Sequence, residues 1–169
     1  MGLLTDELSR RIGETAVYTA PESVGRASIR YYALAVGDDN LLYTDAATAR
    51  EAGYRDVIAP PTWITETNQY MPGARTDEGY MGHGWGIEIP NTRLVRGGNS
   101  YTFDHPVHPD DIITATWRID DATERTTSKG LDMLIVTSSA TYTNQDGTRL
   151  ATNTETLIWS ALAPVGGAA

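Results

Sequence analysis

Apolar positions recur at helical spacing in the first half of the chain and at alternate positions in the second. Leu3, Leu4, Leu8 and Ile12 predict a short opening helix over residues 3–12, begun near Thr5 and closed by Gly13. Residues 14–18 then open a strand that Pro21 breaks. Ile29, Tyr32, Ala33 and Val36 form the buried face of a second helix, with Ser28 as its cap and Gly37 as its stop. Asp45 caps an alanine-rich helix through Ala46, Ala47, Ala49 and Ala52 that ends at Gly53. Pro60 and Pro61 impose an extended approach, and Pro61 suits the first turn of a helix over about residues 62–71. Trp63, Ile64 and Tyr70 make that helix apolar enough to be the one a sheet wraps, and residues 72 and 73 end it.

A glycine-rich loop over residues 75–86 separates the two halves. Beyond it the period is that of strands. Residues 87–89 are a short one, and residues 93–103 are another, with a bulge or close approach at Gly97 and Gly98. Residues 112–119 alternate Ile113, Ala115, Trp117 and Ile119 on one face. A polar connection over 120–130 leads to a β-branched strand over 131–144. A turn at Asn144, Gln145, Asp146 and Gly147 returns the chain through a strand over 150–161. Trp63, Trp117 and Trp159 are expected in the core, and Asp110 and Asp111 in a hairpin turn. Helices first and antiparallel strands second is an α+β order, one sheet packed on a helix. No repeat or linker divides residues 1–169, which read as one domain with a flexible tail over about 162–169.

Composition narrows the function. The chain has 169 residues, 40% of them hydrophobic, enough for a folded core. A formal charge of −9 argues against nucleic acid or an anionic membrane as partner, though a local basic patch could still hold a phosphate-bearing cofactor. The absence of cysteine excludes disulfides, thiolate nucleophiles and Cys-ligated metals. No apolar run approaches the roughly 20 residues of a membrane span, and the acidic N-terminal segment is unlike a signal peptide, so a cytoplasmic protein is expected.

The run GDDNLLYTDAATAREAGYRDVIAPPTW, over residues 37–63, resembles the hydratase motif of the MaoC-like enoyl-thioester hydratases and 3-hydroxyacyl dehydratases, in their FAS1-like branch. RGGNSYTFDHPVHPDDIITATWRI resembles a strand pair of that branch, and NQDGTRLATNTETLIW its final hairpin. The likeness spans roughly residues 15–159. It implies a hot-dog fold, an antiparallel sheet wrapped around a central helix, in a homodimer or a heterodimer with a second hot-dog chain. It also implies a thioester substrate carried by coenzyme A or an acyl carrier protein, and no cofactor. The family motif reads Gly-Asp-x-Asn-Pro-hydrophobic-His. Here Gly37, Asp38 and Asn40 are kept, Leu41 stands for the proline and Tyr43 for the catalytic histidine. A second histidine familiar in the family, just before the glycine pair, is Arg96.

Dehydrating a 3-hydroxyacyl thioester takes a base, an acid and donors for the thioester oxygen. Asp38 is the candidate acid/base, Asn40 its orienting neighbour and Tyr43 a proton donor. His83 lies in a glycine-rich segment from which it could replace the missing imidazole. Pro61 and Thr62 are placed to offer free N–H groups at a helix start. Arg96, Gly97, Gly98 and Asn99 are further candidates for substrate binding. A structural role is expected for His105 and His108, and the three histidines lack metal-ligand spacing, so no metal is expected. The leading expectation is a hydro-lyase acting on an enoyl or 3-hydroxyacyl thioester. The Tyr43 exchange leaves two alternatives: a cyclase of specialised metabolism and a non-catalytic subunit of a heteromeric dehydratase. A thioesterase shares the fold, but the Gly-Asp-x-Asn turn points away from it.

Overall fold

Short-range hydrogen bonds place the helices in the computed structural model, which describes residues 2–70, 83–128 and 130–162. In α1 (Asp6–Arg10) the Thr5 hydroxyl accepts from the Leu8 N–H at 3.2 Å, and Gly13 turns the chain at φ +92°. After β1 (Thr15–Thr19) comes α2 (Arg26–Val36). Ser28, the expected cap, lies inside this helix. The cap is Gly25, held not by a side chain but by its own N–H on the Pro109 carbonyl at 2.7 Å. The buried face is narrower than the spacing predicted. Ile29 and Ala33 are buried one turn apart, Tyr32 is half-buried and Val36 is 53% exposed. Gly37 ends α2 in the left-handed region, at φ 72°, as expected of a glycine past a helix. Asp45 caps α3 (Ala46–Glu51), accepting from the Ala47 and Thr48 N–H groups at 2.7 and 2.9 Å.

The segment predicted as an α-helix over 62–71 is a 3₁₀ helix, Pro61–Tyr70. Its threonines and asparagine have low helix propensity, and the Thr65 hydroxyl bonds back to the Thr62 carbonyl at 2.7 Å. Trp63 and Ile64 are buried in the core as expected. The Tyr70 side chain, the expected stop at residues 72 and 73, most of the loop over 75–86 and nearly all of the tail lie outside the described residues.

The four remaining strands are β2 (Thr92–Phe103), β3 (Thr114–Thr126), β4 (Asp132–Thr143) and β5 (Arg149–Ala161). They join β1 in one antiparallel sheet of order β1-β3-β4-β5-β2. No strand forms over 87–89. The polar residues 120–126, expected as a connection, instead continue β3. A register shift between Ile119 and Asp121 keeps the pairing with β4 alive out to Asp132, and Ala122 alone of this end is buried. The bulge expected at the glycine pair is present between Arg96 and Gly98. A Cβ on Gly97 would lie 3.0 Å from Ile158 Cδ1 and 3.1 Å from Thr156 Cγ2, so a larger residue there would have to displace those side chains by a few tenths of an ångström. The β4–β5 turn closes as expected, the Asn144 side chain accepting from the Asp146 and Thr148 N–H groups and Gly147 at φ +77°. Trp63, Trp85, Trp117 and Trp159 are all buried in the core. No helix among the described residues is long and apolar enough to cross a membrane.

Candidate active site

The reversal at Gly37 builds the site by local bonds alone. The Asp38 N–H donates to the Ala33 carbonyl at 2.9 Å, so the aspartate leaves the helix at a fixed angle. Its carboxylate accepts from the Asn40 N–H at 3.2 Å, and the Asn40 side chain accepts from the Leu42 N–H at 3.0 Å. This second bond caps the 3₁₀ turn Leu41–Tyr43, which brings Tyr43 into the buried core. Tyr43 is buried, and its phenol lies close enough to Asp38 to feel the carboxylate charge. Burial first, then the Asp38 charge, raise its pKa above the ordinary 10.0. Tyr43 is therefore a proton donor at neutral pH and not a base. Asp38 and Asn40 are exposed.

A cleft of about 260 Å³ opens beside Tyr43, lined by Tyr54, Pro61, Ile64, Phe103 and Leu150 among others. The Ile58 N–H donates to the Leu42 carbonyl at 3.0 Å and the Ala59 N–H to the Val107 carbonyl at 2.9 Å. These two bonds carry the chain from the 3₁₀ turn to Pro60. Thr62 is exposed at the second position of the 3₁₀ helix, where an N–H has no partner within the helix. Two side chains of α2 reach this start. The Tyr32 hydroxyl donates to Thr62 Oγ1 at 2.9 Å, and the Trp63 indole N–H donates to Ser28 Oγ at 3.1 Å. Sequence reading missed Tyr32 and Tyr54 because their neighbours are distant in the chain or in three-dimensional contact only.

Of the other residues singled out, His105 lines this cleft and the rest lie elsewhere. Arg96 forms an ion pair with Glu155, a buried carboxyl on β5 whose pKa burial pushes up against the pull of Arg96. Asn99 accepts from the buried Asn153 amide at 3.0 Å. Arg96, Gly97, Gly98 and Asn99 thus belong to the β2–β5 pairing, and none is hydrogen-bonded to the Asp38 turn. His105 Nδ1 donates to the Arg149 carbonyl at 2.9 Å. Among the described residues, no three His, Asp or Glu side chains gather to hold a metal.

His83 is not solvated. It is 7% exposed, stacked on Trp117 with ring centroids 4.7 Å apart and edge-on to Trp85. The Tyr18 hydroxyl lies 3.0 Å from its Nδ1. With that hydroxyl donating, the ring proton sits on Nε2, which is buried and has no hydrogen-bond partner among the described residues. None of these contacts is with Asp38, Asn40 or Tyr43. Burial lowers the pKa of His83 from 6.5 to about 4, with the Glu14 charge opposing. The unfolded chain therefore binds more protons than the folded one between those two values. Stability is full above the unfolded pKa and declines as pH falls toward the folded one. We expect His83→Gln to flatten the fall in Tm between about pH 7 and about pH 4. Equal slopes in the two proteins would mean that the ring titrates as it does in water.

One antiparallel sheet of five strands packed on short helices is a hot-dog architecture. Solved structures agree. A MaoC-like dehydratase from Rhodospirillum rubrum superposes with a TM-score of 0.66 at 17% identity, over 96% of this chain and 100% of that one; at that identity the likeness shows the fold alone. The HadBC (3R-hydroxyacyl-ACP dehydratase) complex of Mycobacterium tuberculosis gives 0.62 at 25% identity, over 85% of this chain and 95% of that one. The chain belongs to the FAS1-like dehydratase domain family, whose model matches residues 11–153. A UPF0336 protein of Thermobifida fusca is 32% identical over 160 residues, 92% of this chain and 95% of its own.

Proposed function

We propose that the chain hydrates an enoyl thioester, and dehydrates the 3-hydroxyacyl thioester, on coenzyme A or an acyl carrier protein. The observation that carries this is the buried Tyr43 phenol, its pKa raised by burial and by the Asp38 charge, lining an apolar cleft. The acyl chain lies in the cleft and the thioester oxygen takes the Thr62 N–H, which stabilises the enolate as it forms. In the hydration direction Asp38 accepts a proton from water as its oxygen bonds to C3. Tyr43 delivers its proton to C2. The proton on Asp38 then returns to the Tyr43 oxygen, so both groups end as they began. Loss of enoyl absorbance with crotonyl-CoA and the purified chain is the test. Tyr43→Phe is expected to lower kcat about 100-fold, and Tyr43→His to keep more activity than Tyr43→Phe. A Tyr43→Phe protein as fast as wild type would remove the phenol from the chemistry.

A second reading is a non-catalytic subunit of a heteromeric dehydratase, whose partner supplies the acid/base groups. A phenol held above its ordinary pKa is no base, which favours it. So does β2, an edge strand of twelve residues with Leu94 50% and Phe103 44% exposed. HadBC, the relative described above, is itself a complex of two kinds of chain. In this reading the partner is a second hot-dog chain, and Asp38→Asn leaves the activity of the pair intact.

A further inference from the structure

The proposed reaction uses two groups that must be held apart by a set distance: the Asp38 carboxylate and the Thr62 N–H. One helix touches both. The last turn of α2 delivers Gly37 and Asp38, while Ser28 and Tyr32, one turn apart on its flank, reach the start of the 3₁₀ helix. From Tyr32 to Gly37 is about 7.5 Å of continuous α-helix. The ten-residue 3₁₀ helix is itself a poorly bonded element for fixing Thr62, since its hydrogen-bond geometry is inferior to that of an α-helix.

The two bonds differ in what they explain. The Trp63 indole is buried and its N–H needs an acceptor, so Ser28 satisfies an ordinary packing demand. The Tyr32–Thr62 bond is exposed. Water could serve either hydroxyl, so satisfaction of polar atoms does not account for this bond. What it does is register the second residue of the 3₁₀ helix against the helix that carries Asp38.

We propose that Tyr32 is a positioning residue for the thioester site, acting through Thr62 to set the thioester-oxygen donor against Asp38; this rests on the hydration reading above. The test is kcat and KM with crotonyl-CoA for wild type, Tyr32→Phe, Thr62→Val, the double variant and Asp38→Asn. Tyr32→Phe should lower kcat about tenfold with KM changed less than about twofold, because misplacement of a reacting group is felt in the chemical step. The double variant should be no slower than the slower single one, since both changes break one bond. Tm should stay within about 3 °C throughout, the bond being exposed. Unchanged kcat in Tyr32→Phe, or losses that multiply in the double variant, beside an inactive Asp38→Asn protein, would overturn the positioning role and leave the hydration reading standing. Coupled losses beside an active Asp38→Asn protein would overturn the proposal, since a donor cannot be set against a group the reaction does not use. A wild type silent toward crotonyl-CoA would overturn both.

Discussion

Asp38→Asn should lower hydration of crotonyl-CoA by about 100-fold or more while the fold stays intact. The substitution is nearly isosteric, and an asparagine oxygen can still accept from the Asn40 N–H as the carboxylate does at 3.2 Å. The turn from Gly37 to Asn40, and with it the cap on the 3₁₀ turn Leu41–Tyr43, should therefore persist. What disappears is the group that, in the proposed reaction, takes a proton from water and returns it to Tyr43. Far-UV circular dichroism and Tm should match wild type, and turnover should not. Turnover within about threefold of wild type, with purified chain alone, would be too small an effect for the loss of a general acid/base.

Asp111→Ala should destabilise the protein by about 3 kcal/mol, with its site chemistry untouched. Asp111 is 1% exposed and anchors three segments that meet nowhere else in this way. Its carboxylate accepts from the His108 N–H at 2.7 Å, from the Asn144 amide at 3.1 Å and from the Arg55 guanidinium at 3.3 Å. Its carbonyl receives the Val24 N–H at 2.9 Å, just before α2. Alanine strands the His108 N–H and the Asn144 amide. Arg55 keeps its ion pair with Asp110 and is half exposed, so its charge is not left buried, which holds the loss to the lower end for a broken buried pair. For a domain of this size that corresponds to a Tm lower by about 10 °C. A drop under about 2 °C would mean that water replaces the carboxylate without loss.

The residues that could be read from the chain are those whose partners are near in sequence. Gly37, Asp45 and the Asn144–Gly147 turn act on neighbours two to five positions away, and each does what its type predicts. The Asp38–Asn40–Tyr43 cluster is likewise a product of one turn. The burial of His83 is not legible in the chain because it depends on Trp117 and Trp85, the first of these on a strand more than thirty residues on. Asp111 reads as a turn residue until Arg55 and Asn144 come beside it. Residues 120–126 look like a loop because their outward side chains are charged, and only pairing with β4 makes them a strand. The Tyr32–Thr62 bond joins positions thirty apart, beyond any local pattern.

The strand order also sets a sequence of events at the ribosome. β3, β4 and β5 are consecutive and pair as neighbours, so this meander can form as soon as it emerges. β1 must wait for Thr114–Arg118 before its ladder can close, about a hundred residues later. At about 5–20 residues per second that wait is several seconds or more. During it α2, the Asp38 turn and Trp63 are already synthesised, with Ile29, Ala33 and Ile64 still lacking the sheet that buries them. The half that carries the proposed site is made first and finished last.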